Sequence, residues 1–312
     1  MKIHKGANAF SSDHQTAVTI GTFDGVHAGH RKIIERLVNS ANANDLESAI
    51  LTFFPHPRMV LQKESGIKLI NTIEERTQLL ESTGIDHLII HPFTHQFSRL
   101  TAREFVRDIL VNKLKAKKVI IGYDHRFGRN RTADIEDLRE FGKEYDFEVE
   151  EISQQDVEEV AVSSTKIRNA LLNGSVEKAN RYLQTPFSLS GIVVEGRGLG
   201  KKFAYPTANL SIQEDYKLIP QNGVYVVKAE IDGKNYFGMM NIGTNPTVGG
   251  EEQSIETYFF GLDKDLYGRK LKIEMLVRIR DEKKFDSVDA LKIAMKQDEA
   301  FSKQYIKDNY AE

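Results

Sequence analysis

The chain has 312 residues, with 43 basic and 45 acidic side chains and no cysteine. This length allows two domains of ordinary size, each with its own core. The near-neutral charge argues against a dedicated surface for nucleic acid or anionic membranes. The missing cysteine excludes disulfides, thiolate metal sites and a cysteine nucleophile. No apolar core follows residues 1–6 and no apolar run approaches membrane-spanning length, so we expect a cytoplasmic protein.

Short apolar runs alternate with helical patterns from the N-terminus to about residue 184. We predict strands over residues 18–20, 49–53, 87–90, 119–121 and 147–152, and helices over residues 31–42, 73–82, 101–111 and 135–143. Thr101 and Glu104 form a capping-box pattern at one helix start, and Gly84 is a helix stop signal. This alternation is typical of a Rossmann-like α/β domain, in which a parallel sheet binds ligands at the carboxyl ends of its strands.

Residues 21–30 join the first predicted strand to the first predicted helix and read Gly-Thr-Phe-Asp-Gly-Val-His-Ala-Gly-His. A helix N-terminus offers unpaired N–H groups and partial positive charge, so it suits an anion. Glycine lets the backbone approach that anion closely. His27 and His30 lie three residues apart, so both can reach one phosphate. The sequence predicts a nucleotide-phosphate site at these two histidines, surrounded by Gly21, Phe23, Asp24 and Gly29.

Other interpretations of this segment fit less well. A Walker A loop needs Gly-x-x-x-x-Gly-Lys-Ser/Thr, and a dinucleotide-binding turn needs Gly-x-Gly-x-x-Gly; neither string is present. Zinc would find only two ligands in His-x-x-His, and the chain has no cysteine to complete the set. A pair of ordinary helix-capping histidines is the remaining alternative.

Two further segments follow predicted strands. Residues 52–57 read Thr-Phe-Phe-Pro-His-Pro and would place aromatic and imidazole groups at the ligand-binding edge. Residues 122–128 read Gly-Tyr-Asp-His-Arg-Phe-Gly, in which Asp124 suits a ribose or flavin-phosphate contact. The alternatives are a proline-punctuated turn over core phenylalanines and a simple strand-to-helix loop.

Residues 163–168 open another helical pattern with Ser-Ser-Thr-Lys-Ile-Arg. The hydroxyls of Ser164 and Thr165 can cap the helix, which is a purely structural role. Arg168 follows about one turn later and would face the same side, which gives a second anion site.

The pattern changes after residue 184. Strands rich in valine, isoleucine and aromatic residues are predicted over 189–194, 225–231, 236–242, 255–261 and 271–279. Asp232 and Gly233 form a hairpin-turn signal, and residues 287–308 have a helical pattern. We therefore predict a small antiparallel β-barrel with a C-terminal helix over residues 185–312, after an α/β domain over residues 1–184.

Residues 195–209 form the second cluster of chemistry-bearing residues and read Glu-Gly-Arg-Gly-Leu-Gly-Lys-Lys-Phe-Ala-Tyr-Pro-Thr-Ala-Asn. The loop residues Gly196, Gly198, Gly200 and Lys201 could wrap phosphates, although a glycine-rich hairpin with surface lysines has the same composition. Thr207 and Asn209 alternate along an extended segment, so both would offer oxygen ligands on one face, as Mg²⁺ carrying ATP requires. Glu256 alternates with apolar neighbours and could face either the barrel mouth or solvent.

Residues 21–30 resemble the His-x-Gly-His signature of nucleotidyltransferases in the form found in bacterial FAD synthetases. Pro-Thr-Ala-Asn at residues 206–209 closely resembles the riboflavin kinase motif, and residues 241–247, 266–268 and 278–285 are similar to other segments of that family. The resemblance covers nearly the whole chain and implies a prokaryotic bifunctional riboflavin kinase/FAD synthetase. Such an enzyme would phosphorylate riboflavin with ATP and Mg²⁺ and then adenylylate FMN, so its partners would be ATP and flavins.

The resemblance also implies roles for individual residues. In the first domain, it implies that the histidines stabilise charge on the α-phosphate of ATP and that Ser164, Thr165 and Arg168 hold the outer phosphates. Flavin or nucleotide contacts are implied for Phe54, His56, Pro57, Asp124 and Arg280. His125 departs from the phenylalanine usual in the family, although imidazole can also stack. Glu256 would be the general base for the flavin hydroxyl.

Two other functional classes remain at this point. One is a nucleotidyltransferase with a different acceptor, whose barrel is only an accessory domain. Another is a non-catalytic flavin-binding or regulatory protein. An aminoacyl-tRNA synthetase also uses a His-x-Gly-His-type signature, but the neutral charge and the lack of an evident tRNA-binding extension disfavour it.

Overall fold

The computed structural model describes residues 1–62, 66–122, 125–152, 162–196, 205–247 and 250–310. The chain divides into two compact units, Met1–Ser164 and Thr165–Glu312. This division falls before the predicted boundary at residue 184, and the boundary itself stays a prediction. The two boundaries differ because the helical segment around Asn180 is hydrogen-bonded to barrel strands. The Asn180 amide donates to the carbonyl of Met275 at 2.8 Å and accepts from the N–H of Phe187 at 2.7 Å.

The first unit contains a parallel sheet of six strands in the order β1-β4-β3-β2-β5-β6. The strands are β1 (Lys2–His4), β2 (Thr16–Ile20), β3 (Glu47–Phe53), β4 (His87–His91), β5 (Ala116–Gly122) and β6 (Glu148–Ile152). All five residues of β2 are buried, as a central strand of a sheet covered on both faces requires. The predicted strands are confirmed, and the three-residue edge strand β1 is an addition.

Helices cover the sheet. They are α1 (Ala28–Ala43), α2 (Pro57–Leu61), α3 (Ile73–Glu81), α4 (Ala102–Glu104) and α5 (Ile135–Tyr145), and a π-helix over Phe105–Val111 continues α4. Thr101 and Glu104 form the predicted capping box, with N–H···O distances of 2.8 and 3.2 Å. The predicted helix over residues 101–111 is therefore confirmed in position, but most of it is π-helical.

Two apolar clusters lie on opposite faces of the sheet. Leu51 and Ile89 belong to one cluster, whereas their chain neighbours Ile50 and Leu88 belong to the other. Successive strand residues point to opposite faces, so this division shows that both faces are buried. The sheet is thus the doubly wound α/β arrangement that the sequence predicts, and the carboxyl end of β2 leads into the segment with His27 and His30.

The second unit is a closed antiparallel barrel in the order β10-β11-β8-β7-β12-β9. Its strands are β7 (Phe187–Val194), β8 (Ala208–Ser211), β9 (Gly223–Ile231), β10 (Lys234–Thr247), β11 (Gly250–Phe259) and β12 (Lys270–Asp281). Asp232 and Gly233 have φ values of 52° and 74°, so they form the predicted hairpin turn between β9 and β10. The predicted barrel is confirmed.

In the described part of this unit, three helices accompany the barrel: α6 (Ser164–Leu172), α7 (Val176–Leu183) and α8 (Val288–Tyr310). Helix α8 is the predicted C-terminal helix. It is anchored by Asp298, which is 4 % exposed and receives three guanidinium contacts from Arg280 between 2.8 and 3.2 Å. No helix among the described residues is long and apolar enough to cross a membrane.

Strands β7 and β8 approach each other closely at Gly191. A Cβ atom there would lie 2.4 Å from the carbonyl oxygen of Ser211. Because this oxygen belongs to the backbone, Gly191→Ala forces the strands apart, and we expect it to lower the free energy of unfolding by about 1–3 kcal/mol. The neighbouring Ser190→Ala should change it by less than about 0.5 kcal/mol. Urea denaturation of both variants checks this, and equal midpoints would contradict the close approach.

Candidate active sites

The segment between β2 and α1, residues 21–27, is called the histidine turn below. Its backbone bends sharply, with positive φ values of 48° at Phe23, 92° at Gly25 and 41° at Val26. The Nδ1 atom of His27 accepts the backbone N–H of His30 at 3.3 Å and so caps helix α1. The two imidazole rings stack, with centroids 3.7 Å apart and planes inclined by 16°. Both histidines therefore lie together at a helix N-terminus, as the sequence predicts.

His30 packs between an aromatic ring and the second histidine. Its ring centroid lies 5.0 Å from that of Phe23, and its Nδ1 atom is buried with no hydrogen-bond partner among the described residues. Burial, the neighbouring His27 ring and the Arg76 guanidinium hold the pKa of His30 well below its usual range. The ring is therefore neutral at physiological pH and keeps a nitrogen available for hydrogen bonding.

Asp24 occupies the centre of the histidine turn, and its side chain is fully buried. The carboxylate oxygens accept the backbone N–H groups of Ile70 at 3.1 Å and Asn71 at 3.2 Å. The Asp24 carbonyl accepts the hydroxyl of Ser164 at 2.8 Å. Because the carboxylate faces the protein interior, a nucleotide contact from Asp24 would have to come from its backbone.

Sequence reasoning missed Arg76, whose guanidinium lies 3.8 Å from the Asp24 carboxylate. Both side chains are fully buried. A partial signal exists, since Thr72 and Glu75 have capping-box spacing just before Arg76, and the structure forms that box.

The other predicted contacts of the first unit follow β3 and β5, the two strands on either side of β2. His56 is 7 % exposed and caps helix α2 by accepting the N–H of Arg58 at 3.1 Å. Pro57 is the first residue of that helix, and Phe54 is half-buried after β3. The His125 ring lies nearly parallel to Phe127, with centroids 6.3 Å apart. Asp124 lies outside the described residues, and flavin contacts from these side chains stay predictions.

Gly21 and Gly29 are both close to aromatic rings of the histidine turn. A Cβ at Gly21 would lie 2.9 Å from the Phe23 ring, and one at Gly29 would lie 3.4 Å from the His27 ring. Packing therefore favours glycine at position 21, whereas the contact at Gly29 is an ordinary van der Waals distance. Thr165 and Arg168 lie on helix α6 and belong to the second unit, and their predicted phosphate contacts stay predictions.

The barrel brings its predicted residues together. The Thr207 hydroxyl donates to Glu256 Oε2 at 3.0 Å. Asn209 on β8 is directly opposite Glu256 on β11. A Cβ at Gly196 would lie 2.1 Å from the Asn209 amide nitrogen, so no larger residue fits there with that rotamer. Gly198, Gly200 and Lys201 lie outside the described residues.

The donor set at this barrel site consists of a hydroxyl, an amide oxygen and a carboxylate. These are the hard oxygen ligands that Mg²⁺ prefers. No group of three or more His, Cys, Asp and Glu side chains suited to a metal ion occurs among the described residues. A divalent cation here would therefore share its coordination with substrate phosphates and water, as is usual for Mg²⁺ at nucleotide sites.

Arg280, a predicted flavin contact, binds Asp298 and also donates to the Asp281 carbonyl at 3.0 Å. Its guanidinium lies 5.5 Å from the Phe285 ring centroid. Glu282, which sequence reasoning left without a role, accepts the N–H of Thr244 at 3.0 Å and the Asn222 amide at 2.9 Å. These two residues hold helix α8 and strand β10 at one end of the barrel.

Known proteins resemble both units. The FAD synthetase family model matches residues 9–166, and the riboflavin kinase model matches residues 183–306. A "bifunctional riboflavin kinase/FMN adenylyltransferase" from Buchnera aphidicola is 36 % identical, and the match covers 98 % of this chain and 99 % of the relative. The protein of that name from Escherichia coli is 33 % identical over 98 % of each chain.

A solved structure is also similar along the whole chain. The crystal structure of a Streptococcus pneumoniae protein, described as a macrolide-efflux protein, is 32 % identical with a TM-score of 0.87. The match covers 99 % of both chains.

Proposed function

The chain belongs to the bifunctional riboflavin kinase/FMN adenylyltransferase family, and we propose that the histidine turn performs the adenylyl transfer and that the barrel site performs the phosphorylation. The enzyme thus converts riboflavin to FMN and FMN to FAD. We also place its action in the cytoplasm, with ATP and flavins as its small-molecule partners and no nucleic acid.

In adenylyl transfer, a phosphate oxygen of FMN attacks the α-phosphorus of ATP, and the bond to the bridging oxygen of the β-phosphate breaks. Negative charge grows on the α-phosphate oxygens and on the leaving pyrophosphate. Hydrogen-bond donors fixed at this position stabilise the transition state without reorganising. His27, His30 and the N-terminus of helix α1 would supply those donors, while Ser164, Thr165 and Arg168 would hold the outer phosphates. No covalent enzyme nucleophile is required.

The stacked histidine pair is the observation that carries this proposal. Ring centroids only 3.7 Å apart disfavour two cationic imidazoles, and the pKa of His30 is held low by burial, His27 and Arg76. His30 would therefore act as a neutral hydrogen-bond donor to the α-phosphate rather than as a permanent cation.

In phosphorylation, a ribityl hydroxyl oxygen attacks the γ-phosphorus of ATP, ADP leaves, and the hydroxyl proton passes to a base. Glu256 is the proposed base, because its carboxylate accepts from Thr207 and lies beside Asn209. When bound through Thr207 and Asn209, Mg²⁺ would neutralise charge on the phosphates. The loop with Gly196, Gly198, Gly200 and Lys201 would cover the nucleotide.

The metal assignment is tested with Thr207→Val, which keeps the shape of threonine but removes its hydroxyl. We expect FMN formation to fall about 10–10²-fold, in the range of losing one charge-assisted contact, and the Mg²⁺ concentration for half-maximal rate to rise. FAD formation from added FMN by the same protein is the internal control. An unchanged Mg²⁺ dependence would contradict the role of Thr207.

A further inference from the structure

The histidine turn has a backbone shape that its own sequence does not favour. Phe23 and Val26 have φ values of 48° and 41°, although neither residue is glycine and valine is β-branched. L-residues rarely adopt this region, and such conformations persist only when the surroundings enforce them. Something outside the turn must therefore hold His27 and His30 in place.

The contacts that could do so converge on Asp24, which lies between the two strained residues. One carboxylate oxygen accepts the Ile70 N–H and the other accepts the Asn71 N–H, at 3.1 and 3.2 Å. The Arg76 guanidinium lies 3.8 Å from the same carboxylate. All three contacts come from residues far along the chain, so they fix the turn through tertiary structure.

The partner segment is itself rigid. Thr72 and Glu75 form a complete capping box at the start of helix α3, with distances of 2.9 and 3.1 Å. Leu69 and Ile70 are fully buried just before it. Because this segment is rigid and buried, its hydrogen bonds can hold the turn in one position, whereas an exposed loop could not.

We propose that the buried Asp24–Arg76 pair is a positioning device for adenylyl transfer, which clamps the histidine turn onto the start of helix α3. This inference rests on the proposed function of the turn and adds two positioning residues to it. Asp24 thereby acts through His27 and His30, and its carboxylate does not touch the nucleotide.

The clamp also places a fixed positive charge beside His30. The ionisable groups that act on the His30 ring are His27 in the turn and Arg76 on α3, and the Asp24 carboxylate lies 3.8 Å from the Arg76 guanidinium. Arg76 lowers the pKa of His30, after burial and His27. Loss of Arg76 removes a positive charge that lowers the pKa of His30 and should therefore raise it, whereas Asp24→Asn removes a negative charge beside Arg76 and should lower the pKa of His30 further.

Because the two substitutions should shift the pKa of His30 in opposite directions, they distinguish a positioning role from a contribution to stability alone. A variant that merely loosened the fold would expose His30 to water, and the pKa would move up towards its ordinary value in both cases. The experiment therefore uses the full chain with Asp24→Asn, Arg76→Met and Arg76→Lys. His30 is titrated by NMR, and its signal is assigned from its disappearance in His30→Ala.

The kinetic readout is the conversion of added FMN to FAD, with FMN formation from riboflavin as the control in the same protein. We expect Asp24→Asn and Arg76→Met to lower kcat about 10–10²-fold with KM for FMN changed less than threefold, because misplacement of catalytic groups acts on the transition state. Arg76→Lys keeps the charge and should retain most of the activity.

If a single variant does not fold, the double variant Asp24→Asn/Arg76→Met replaces it. This variant removes both charges of the buried pair together. We expect it to fold, to form FMN normally and to remain impaired in FAD synthesis. Wild-type FAD synthesis in folded Asp24→Asn or in the double variant would overturn the clamp, as would an upward shift of the His30 pKa in Asp24→Asn. An active His30→Ala would instead overturn the proposed function of the turn, so the two failures are distinguishable.

Discussion

His30→Ala lowers FAD synthesis from added FMN by about 10²–10³-fold and leaves FMN formation from riboflavin unchanged. The reason is that we propose a neutral, half-buried imidazole at the α1 N-terminus as a donor to charge that exists only in the transition state. Loss of one such preorganised donor costs about 3–4 kcal/mol. The measurement is chromatographic separation of flavins under single-substrate conditions, first with FMN and then with riboflavin.

His27→Ala should lower FAD synthesis similarly, but its interpretation is less direct. His27 also caps helix α1, so the substitution removes a cap worth about 1 kcal/mol in addition to a catalytic group. His30 makes no side-chain hydrogen bond through its buried Nδ1 among the described residues, which makes it the cleaner variant. An unchanged rate of FAD synthesis in His30→Ala would remove the histidine turn from the chemistry.

Glu256→Gln should lower FMN formation about 10²–10⁴-fold, the range expected when a general base is lost. The amide oxygen of glutamine can still accept the Thr207 hydroxyl, so the barrel should fold normally. Conversion of added FMN to FAD by the same variant should be unchanged.

A matched control is Glu274→Gln on strand β12. Glu274 is half-buried in the same barrel and pairs with Lys228 at 3.4 Å, but it lies outside the proposed site. The Glu274→Gln variant should form FMN at the wild-type rate. Equal rates in Glu256→Gln and Glu274→Gln would show that Glu256 is not the base.

Local patterns in the sequence were sufficient to predict the main architecture. The change from helical to strand periodicity near residue 184 predicted the α/β fold and the barrel, and both are confirmed. Period-two alternation put Thr207 and Asn209 on one face but left Glu256 facing either the barrel mouth or solvent. The structure decides this by joining Thr207 and Glu256 through a hydrogen bond.

Features that depend on distant pairing were not predicted. Strand β1 has only three residues and exists through its pairing with β4. The Asp24–Arg76 pair joins a turn to a helix that follows another strand, and no local pattern connects them. The π-helix over Phe105–Val111 has the same apolar spacing as an α-helix at this length, so periodicity alone did not distinguish the two.

We propose that two separate sites in one chain perform the two reactions in sequence. This is tested by mixing His30→Ala with Glu256→Gln in the presence of riboflavin, ATP and Mg²⁺ and following the flavins by chromatography. We expect His30→Ala alone to accumulate FMN, Glu256→Gln alone to leave riboflavin unchanged, and the mixture to form FAD. A mixture that forms no FAD, or a single variant that loses both activities, would contradict this proposal.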